Sequence, residues 1–91
     1  MDETNPSTLR LDQLPEDRWA TVADIAVPSA TADHDLVLRL VELGFVPGER
    51  VRVVAEGFAG REPLAVRVGH TTFALRRHEA SFILVTPVEP Q

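Results

Sequence analysis

Within the stretch Leu43-Gly44-Phe45-Val46-Pro47-Gly48-Glu49-Arg50-Val51-Arg52-Val53-Val54, a helical pattern stops and a strand pattern starts. Gly44 suits the left-handed backbone position that follows a helix, and Phe45 can then fold back onto Leu40. Pro47-Gly48 suits the centre of a type II turn, where proline presets the first φ and glycine supplies the positive second one. The stretch therefore predicts a helix, a chain reversal and a strand, and none of its groups is suited to bond-making chemistry.

A helix is predicted over residues 35–43, immediately before this turn. Its apolar residues recur at helical spacing along one face, namely Leu36, Leu40 and Leu43. Thr31 or Asp33 can cap the start of this helix, since both side chains accept hydrogen bonds from free backbone N–H groups.

Five strands are predicted around the helix, from alternating apolar residues or β-branched runs, over residues 19–27, 50–55, 64–68, 71–76 and 82–85. Gly69-His70 predicts a short hairpin turn, and residues 77–80 predict one tight helical turn. Five short strands cannot bury a common core as a flat sheet, and closure removes exposed edges. The predicted fold class is therefore mainly β with one inserted helix, as a small SH3-like barrel of about five strands.

The composition bounds the kind of protein that the chain can be. With 91 residues and 44% hydrophobic residues, it predicts one folded domain over residues 14–88. A flexible acidic N-terminal tail is predicted over residues 1–13, and a short C-terminal tail over 89–91. The chain has no cysteine, so it has no disulfide or thiolate site. With no secretory signal and no long apolar run, it is expected to be cytoplasmic, without direct membrane insertion.

Three blocks of the sequence together resemble the FeoA family, ferrous iron transport protein A. They are Leu40-Val41-Glu42-Leu43-Gly44-Phe45-Val46-Pro47-Gly48, Pro63-Leu64-Ala65-Val66-Arg67-Val68-Gly69 and Phe73-Ala74-Leu75-Arg76-Arg77-His78-Glu79-Ala80. Each block alone is a weak motif, but the ordered set is specific. The residues that carry the family pattern are Leu40, Leu43, Gly44, Phe45, Pro47, Gly48, Ala74, Leu75, Glu79 and Ala80.

The resemblance implies a small cytoplasmic accessory protein of bacterial ferrous iron uptake. Its implied partner is FeoB, a membrane permease with a GTP-binding domain, so recruitment to the inner face of the plasma membrane would follow. A module of this kind acts by protein–protein contact and not as an enzyme, and no cofactor is expected. Self-association into a homo-oligomer is also compatible with so small a domain.

Two groups of residues are candidates for that contact. Strand alternation places Arg50, Arg52, Arg67 and Arg76 on the outside of neighbouring strands, with Arg77 beside them. They form either a solvated exterior or a docking face for an acidic partner, since arginine suits carboxylates at interfaces. The second group is apolar: Leu43, Val46 and Pro47 beside the helix, and Phe58 on a glycine-flanked loop.

Two other functions are weighed against protein contact. Direct iron binding would need ligands, but His34, His70 and His78 show no paired spacing and are expected to be surface residues. A nucleic-acid-binding barrel is disfavoured by the net charge of −5 and by the lack of aromatics between the outward arginines. The sequence therefore favours a protein partner, no nucleic acid and no metal site.

Overall fold

The computed structural model describes residues 8–88, except for the side chain of Ala59. Within this range six strands and two helices follow one another: β1 (Leu9–Arg10), β2 (Trp19–Ile25), α1 (Ala32–Leu43), β3 (Arg50–Glu56), β4 (Leu64–Val68), β5 (Thr71–Leu75), α2 (Arg77–Ala80) and β6 (Ile83–Pro87). Short 3-10 turns lie at Leu11–Gln13 and Ala59–Arg61. Of the helices in residues 8–88, none is long and apolar enough to cross a bilayer.

The strands form one antiparallel sheet in the order β1-β6-β2-β3-β4-β5. The predicted mainly β class with one inserted helix is confirmed. The strand number and the closure differ, because β1 is a sixth strand and no ladder within residues 8–88 joins the edge strands β1 and β5. Register shifts between Val22 and Asp24 and between Val53 and Ala55 mark bulges, which bend the sheet around the core without closing it.

The predicted N-terminal tail is wrong for residues 9–13. Leu9 pairs with Val85 and Arg10 with Leu84, and the side chain of Leu11 is completely buried. A strand of two residues is too short to show a period, so the sequence pattern missed it. The folded domain therefore begins before the predicted boundary at residue 14, while residues 1–7 and 89–91 of the predicted tails lie outside the described residues.

Other element boundaries shift by a few residues. Helix α1 starts at Ala32, three residues before its predicted start, and Thr31 occupies the N-cap position without a side-chain capping bond. Strand β2 ends at Ile25, while β6 starts at Ile83 and runs on through Pro87. Strand β4 occupies its predicted range, and Gly69 and His70 form the turn that joins it to β5.

The chain reverses after α1 as the sequence predicts. Gly44 has a φ of 114°, and the N–H of Phe45 donates to the carbonyl of Leu40 at 3.1 Å. This is the bond from the second residue past the helix that defines a Schellman ending. Gly48 follows with a φ of 97°, and Glu49 N–H donates to Val46 O at 3.1 Å, as in a type II turn.

The core lies inside the bent sheet, and α1 contributes one fully buried residue to it, Leu40. Phe45 is its largest fully buried side chain, and its ring centroid lies 6.1 Å from that of Phe73. Leu75 and Ala80 from the last motif block are buried as well, whereas Ala74 is exposed on the other face. The buried apolar residues are Leu11, Leu14, Ala20, Val22, Leu40, Phe45, Val51, Val53, Leu64, Val66, Val68, Leu75, Ala80, Ile83 and Val85.

The loop between β3 and β4 is closed by a tight backbone contact at Gly57. Its N–H donates to the carbonyl of Pro63 at 3.0 Å. A Cβ atom on Gly57 would lie 2.0 Å from the carbonyl oxygen of Glu62, which belongs to the backbone and cannot rotate away. Glycine is therefore required here because two stretches of backbone approach each other closely.

Arg77 fixes α2 against the N-terminal 3-10 turn and the end of β3. Its Nη1 donates to the carbonyl of Asp12 at 2.7 Å, its Nη2 lies 3.5 Å from Glu56 Oε2, and its backbone N–H donates to Glu62 Oε2 at 2.7 Å. Arg61 Nε also donates to Glu56, at 3.1 Å, and this hydrogen bond is the main reason why the pKa of Glu56 is lowered. Arg77 thereby joins the N-terminal turn, the end of β3 and α2.

We expect Gly57→Ala to lower the free energy of unfolding by about 3 kcal/mol, because the added methyl group overlaps the Glu62 backbone. Gly60→Ala is the matched control, since no atom lies within 4 Å of its Cβ position. Its left-handed φ of 65° makes alanine cost about 1 kcal/mol. Chemical denaturation of both variants measures the difference, and equal losses would contradict the close approach at Gly57.

We expect Arg77→Met to lower the free energy of unfolding by about 1–2 kcal/mol, because it leaves the Asp12 carbonyl without its Arg77 donor and removes one of the two arginines paired with Glu56. Arg76→Met removes the same charge from the adjacent, exposed residue and should change stability by less than about 0.5 kcal/mol. Thermal unfolding of the pair provides the comparison. A similar loss from both variants would show that charge, and not the Arg77 contacts, is responsible.

Candidate protein-interaction surfaces

The apolar residues at the end of α1 are only partly brought together. A groove of about 160 Å³ lies between α1 and β5, and Leu43 lines it. Val46 and Pro47 continue past the helix and do not line this groove, with Val46 half-buried and Pro47 exposed. The other lining residues are Leu36, Arg39, Leu40, Phe73, Ala74, Leu75 and Glu79.

Phe58 is fully exposed at the tip of the β3–β4 loop. The contact at Gly57 holds the base of this loop closed, so the ring is presented on a constrained turn. Strand β3 separates Phe58 from Val46, and seven extended residues span about 20 Å. The two side chains therefore belong to different surfaces and cannot line one groove.

The arginines divide into an outer group and two separate residues. Arg50 and Arg52 share the outer face of β3, and Arg67 on β4 is the register partner of Arg52. Arg76 follows the far end of β5, four residues beyond Thr72, which is the partner of Arg67, and this corresponds to about 13 Å along a strand. Arg77 points toward Asp12 and Glu56 instead.

Trp19 belongs with the outer arginines, although the sequence analysis did not select it. It is the register partner of Arg52, and the Arg52 guanidinium carbon lies 5.0 Å from the centre of its ring. This geometry is a cation–π contact. Finding it requires the pairing of β2 with β3, which periodicity alone does not supply. Trp19, Arg52 and Arg67 lie side by side on three neighbouring strands and form a cationic row.

An apolar groove of about 350 Å³ lies between the end of β2 and α1, and the sequence analysis missed it as well. Val27 is 90% exposed and Leu38 is 61% exposed at its rim. A signal was available, because Leu38 lies off the stripe of Leu36, Leu40 and Leu43 and thus has no place in the core. The lining residues are Ile25, Ala26, Val27, Pro28, His34, Val37, Leu38 and Val41.

Two of the three histidines make contacts within the fold. His34 Nε2 lies 3.1 Å from the carbonyl of Pro28, and His78 Nε2 lies 3.1 Å from Asp33 Oδ1, which connects α2 to the start of α1. His70 is exposed in the β4–β5 turn. In the part of the chain from residue 8 to residue 88, no three His, Asp or Glu side chains converge as metal ligands would.

Glu79 has a local structural task. Its Oε1 accepts a hydrogen bond from the N–H of Arg76 at 2.7 Å, so it satisfies a free backbone donor at the start of α2. Glu79 and Arg77 therefore both bond to backbone groups, Glu79 at the start of α2 and Arg77 at the carbonyl of Asp12. The exposed features that remain are the apolar groups and the cationic row, which are suited to contact with another molecule.

Comparison with solved structures identifies close relatives of this arrangement. The crystal structure of FeoA from Stenotrophomonas maltophilia in complex with zinc is 45% identical, covers 85% of this chain and 88% of that chain, and has a TM-score of 0.74. It is described as a prokaryotic SH3 domain protein proposed to act as a ferrous iron transport activating factor. The SH3-like class predicted from the sequence is thereby confirmed.

More distant structures share the fold. The FeoA-like protein from Clostridium acetobutylicum is 21% identical, with a TM-score of 0.78, and covers 96% of this chain and 94% of that chain. IdeR of T. acidophilum is 20% identical, with a TM-score of 0.73, and covers 96% of this chain but 37% of that chain. A search among curated proteins finds no match.

A comparison with protein-family models also identifies FeoA, as does the 45% identical structure. The FeoA domain family model matches residues 9–87, which include every strand and both helices described above. The match also begins at Leu9, where the structure places β1. The chain therefore belongs to the FeoA family.

Proposed function

We propose that this protein is an accessory of bacterial ferrous iron uptake that acts by contact with the cytoplasmic part of a FeoB-type GTP-binding permease. The observation that carries the proposal is the 45% identity, over most of both chains, with a FeoA protein described as a candidate ferrous iron transport activating factor. Membership of the FeoA family over residues 9–87 supports it. The protein is then cytoplasmic, and its partner recruits it to the inner face of the plasma membrane.

The distribution of side chains supports action by contact. Arg77, Glu56 and Glu79 are engaged in bonds that hold the fold together. Phe58 and Val27, by contrast, are large apolar residues in contact with solvent. Burying one such side chain against a partner stabilises a complex by about 1.5–3 kcal/mol. A few anchors of this kind account for most of the binding energy in a typical interface.

Catalysis is not part of the proposal. The charged side chains with short contacts are engaged in structural bonds: Arg77 with a backbone carbonyl and Glu79 with a backbone N–H. His78 pairs with Asp33 at the surface, where 64% of the histidine side chain is exposed. Bonds of this kind, to the protein's own backbone and surface, give these groups a structural role.

We expect the immobilised protein to retain the FeoB-type permease from detergent-solubilised membranes, and Phe58→Ser to weaken this retention at least about tenfold. Because Phe58 is fully exposed, the thermal midpoint of the variant should match that of the wild type. Val46→Ser tests the separate surface after α1 in the same assay. Quantitative immunodetection of the retained permease across a range of protein concentrations is the measurement.

His70→Ser is the control, because it changes an exposed side chain in a turn outside both apolar surfaces. It should retain the permease as the wild type does. Failure of the wild-type protein to retain any permease would refute the proposed partner. Retention unchanged in both Phe58→Ser and Val46→Ser would remove these two surfaces from the contact.

A further inference from the structure

The cationic row is aligned by the register of the sheet. Trp19 is the partner of Arg52 across β2 and β3, and Arg52 is the partner of Arg67 across β3 and β4. Residues directly opposite on antiparallel strands have Cβ atoms about 5 Å apart. Arg50, two residues before Arg52, points to the same outer face and is exposed. Three guanidinium groups and one indole ring thus share a small area.

Two arginines directly opposite each other are unfavourable in an isolated sheet, because like charges in cross-strand pairs repel. Among the ion pairs of residues 8–88, none involves Arg50, Arg52 or Arg67. The Nε atom of Arg52 is buried and has no hydrogen-bond partner within the same range of residues. Among the described residues, the Arg52 guanidinium contacts the Trp19 ring, in the cation–π geometry given above. The arginines of this surface therefore carry positive charge that no acidic side chain of residues 8–88 neutralises.

We propose that the cationic row binds an acidic segment of a partner protein, rich in Asp and Glu, in an extended conformation. Guanidinium groups form paired hydrogen bonds with carboxylates. In an extended segment, side chains two residues apart lie about 7 Å apart on one face, so successive carboxylates can each meet one arginine. The side chain of Trp19 is 36% exposed, so its indole ring can add apolar contact area beside the charges.

An acidic protein segment fits better than a nucleic acid. A short acidic segment meets only the few residues of the row, whereas a long polyphosphate extends over the rest of a chain whose net charge is −5 and is repelled there. Single strands are usually held by several aromatic rings that stack successive bases, whereas the row offers only Trp19. The inference deepens the proposed function and rests on it only in assuming that the protein acts through protein contact.

The chain itself provides a reporter for the test, because Trp19 is its single tryptophan and it has no tyrosine. A short peptide in which glutamate alternates with serine is titrated into the full-length protein, and the fluorescence of Trp19 is recorded. We expect a saturable change as carboxylates draw the Arg52 guanidinium away from the ring. Binding should weaken as salt is added, because exposed charges are screened.

Arg67→Gln should weaken the affinity by about fivefold, since it removes one ion pair and leaves the Trp19–Arg52 contact in place. Its thermal midpoint should equal or exceed that of the wild type, because the like-charge pair is relieved. Arg39→Gln is the matched control, since it removes the same charge from an exposed position on α1. Its affinity should stay unchanged.

Three results would overturn the inference: no saturable change in Trp19 fluorescence, an equal loss of affinity in Arg39→Gln, or tighter binding of a single-stranded oligonucleotide than of the peptide. A peptide with glutamine in place of glutamate should not bind. Because the probe is a peptide, failure of this test leaves retention of the permease unaffected. Loss of permease retention with peptide binding intact would instead refute the proposed partner and leave the acidic-segment site standing.

Discussion

The fold depends on the burial of Phe45 where α1 reverses into β3. The ring is completely buried, which stabilises the domain by about 1.5–3 kcal/mol, and it reaches the core only because Gly44 adopts a φ of 114°. The same turn is bonded to β2, since Gly48 N–H donates to Val22 O at 2.9 Å and Val22 N–H donates to Glu49 O at 2.8 Å. The buried Phe45 ring and these two hydrogen bonds thus hold the end of α1, the turn after it and the central strands β2 and β3 in place.

Features with a strong local signal could be predicted from the sequence, and those that depend on pairing could not. Alternation gave the bounds of β4, and Gly44 gave the end of α1, because each pattern lies within one element. The two residues of β1 have no period and become a strand only through β6. The open sheet also escaped prediction, since bulges in β2 and β3 bend it without joining its edges.

The candidate site shows the same division. Strand alternation correctly placed Arg50, Arg52 and Arg67 on the outer face, because parity is a local property. It could not separate Arg77, whose partners Asp12 and Glu56 are distant in sequence, or add Trp19, which meets Arg52 only through strand register. Some charged residues thus join the elements of the domain, and others stay on its surface, where we propose that another molecule binds.

We propose that this protein works by being bound on its outer surface while its fold stays unchanged. The amide NMR spectrum of the isotopically labelled protein, recorded before and after addition of the purified cytoplasmic part of the permease, tests this mode of action. We expect changes at Phe58 and along Trp19, Arg52 and Arg67, with the signals of buried residues such as Val66 unaltered. An unchanged spectrum at saturating partner concentration, or changes spread through the core, would rule out binding on the outer surface.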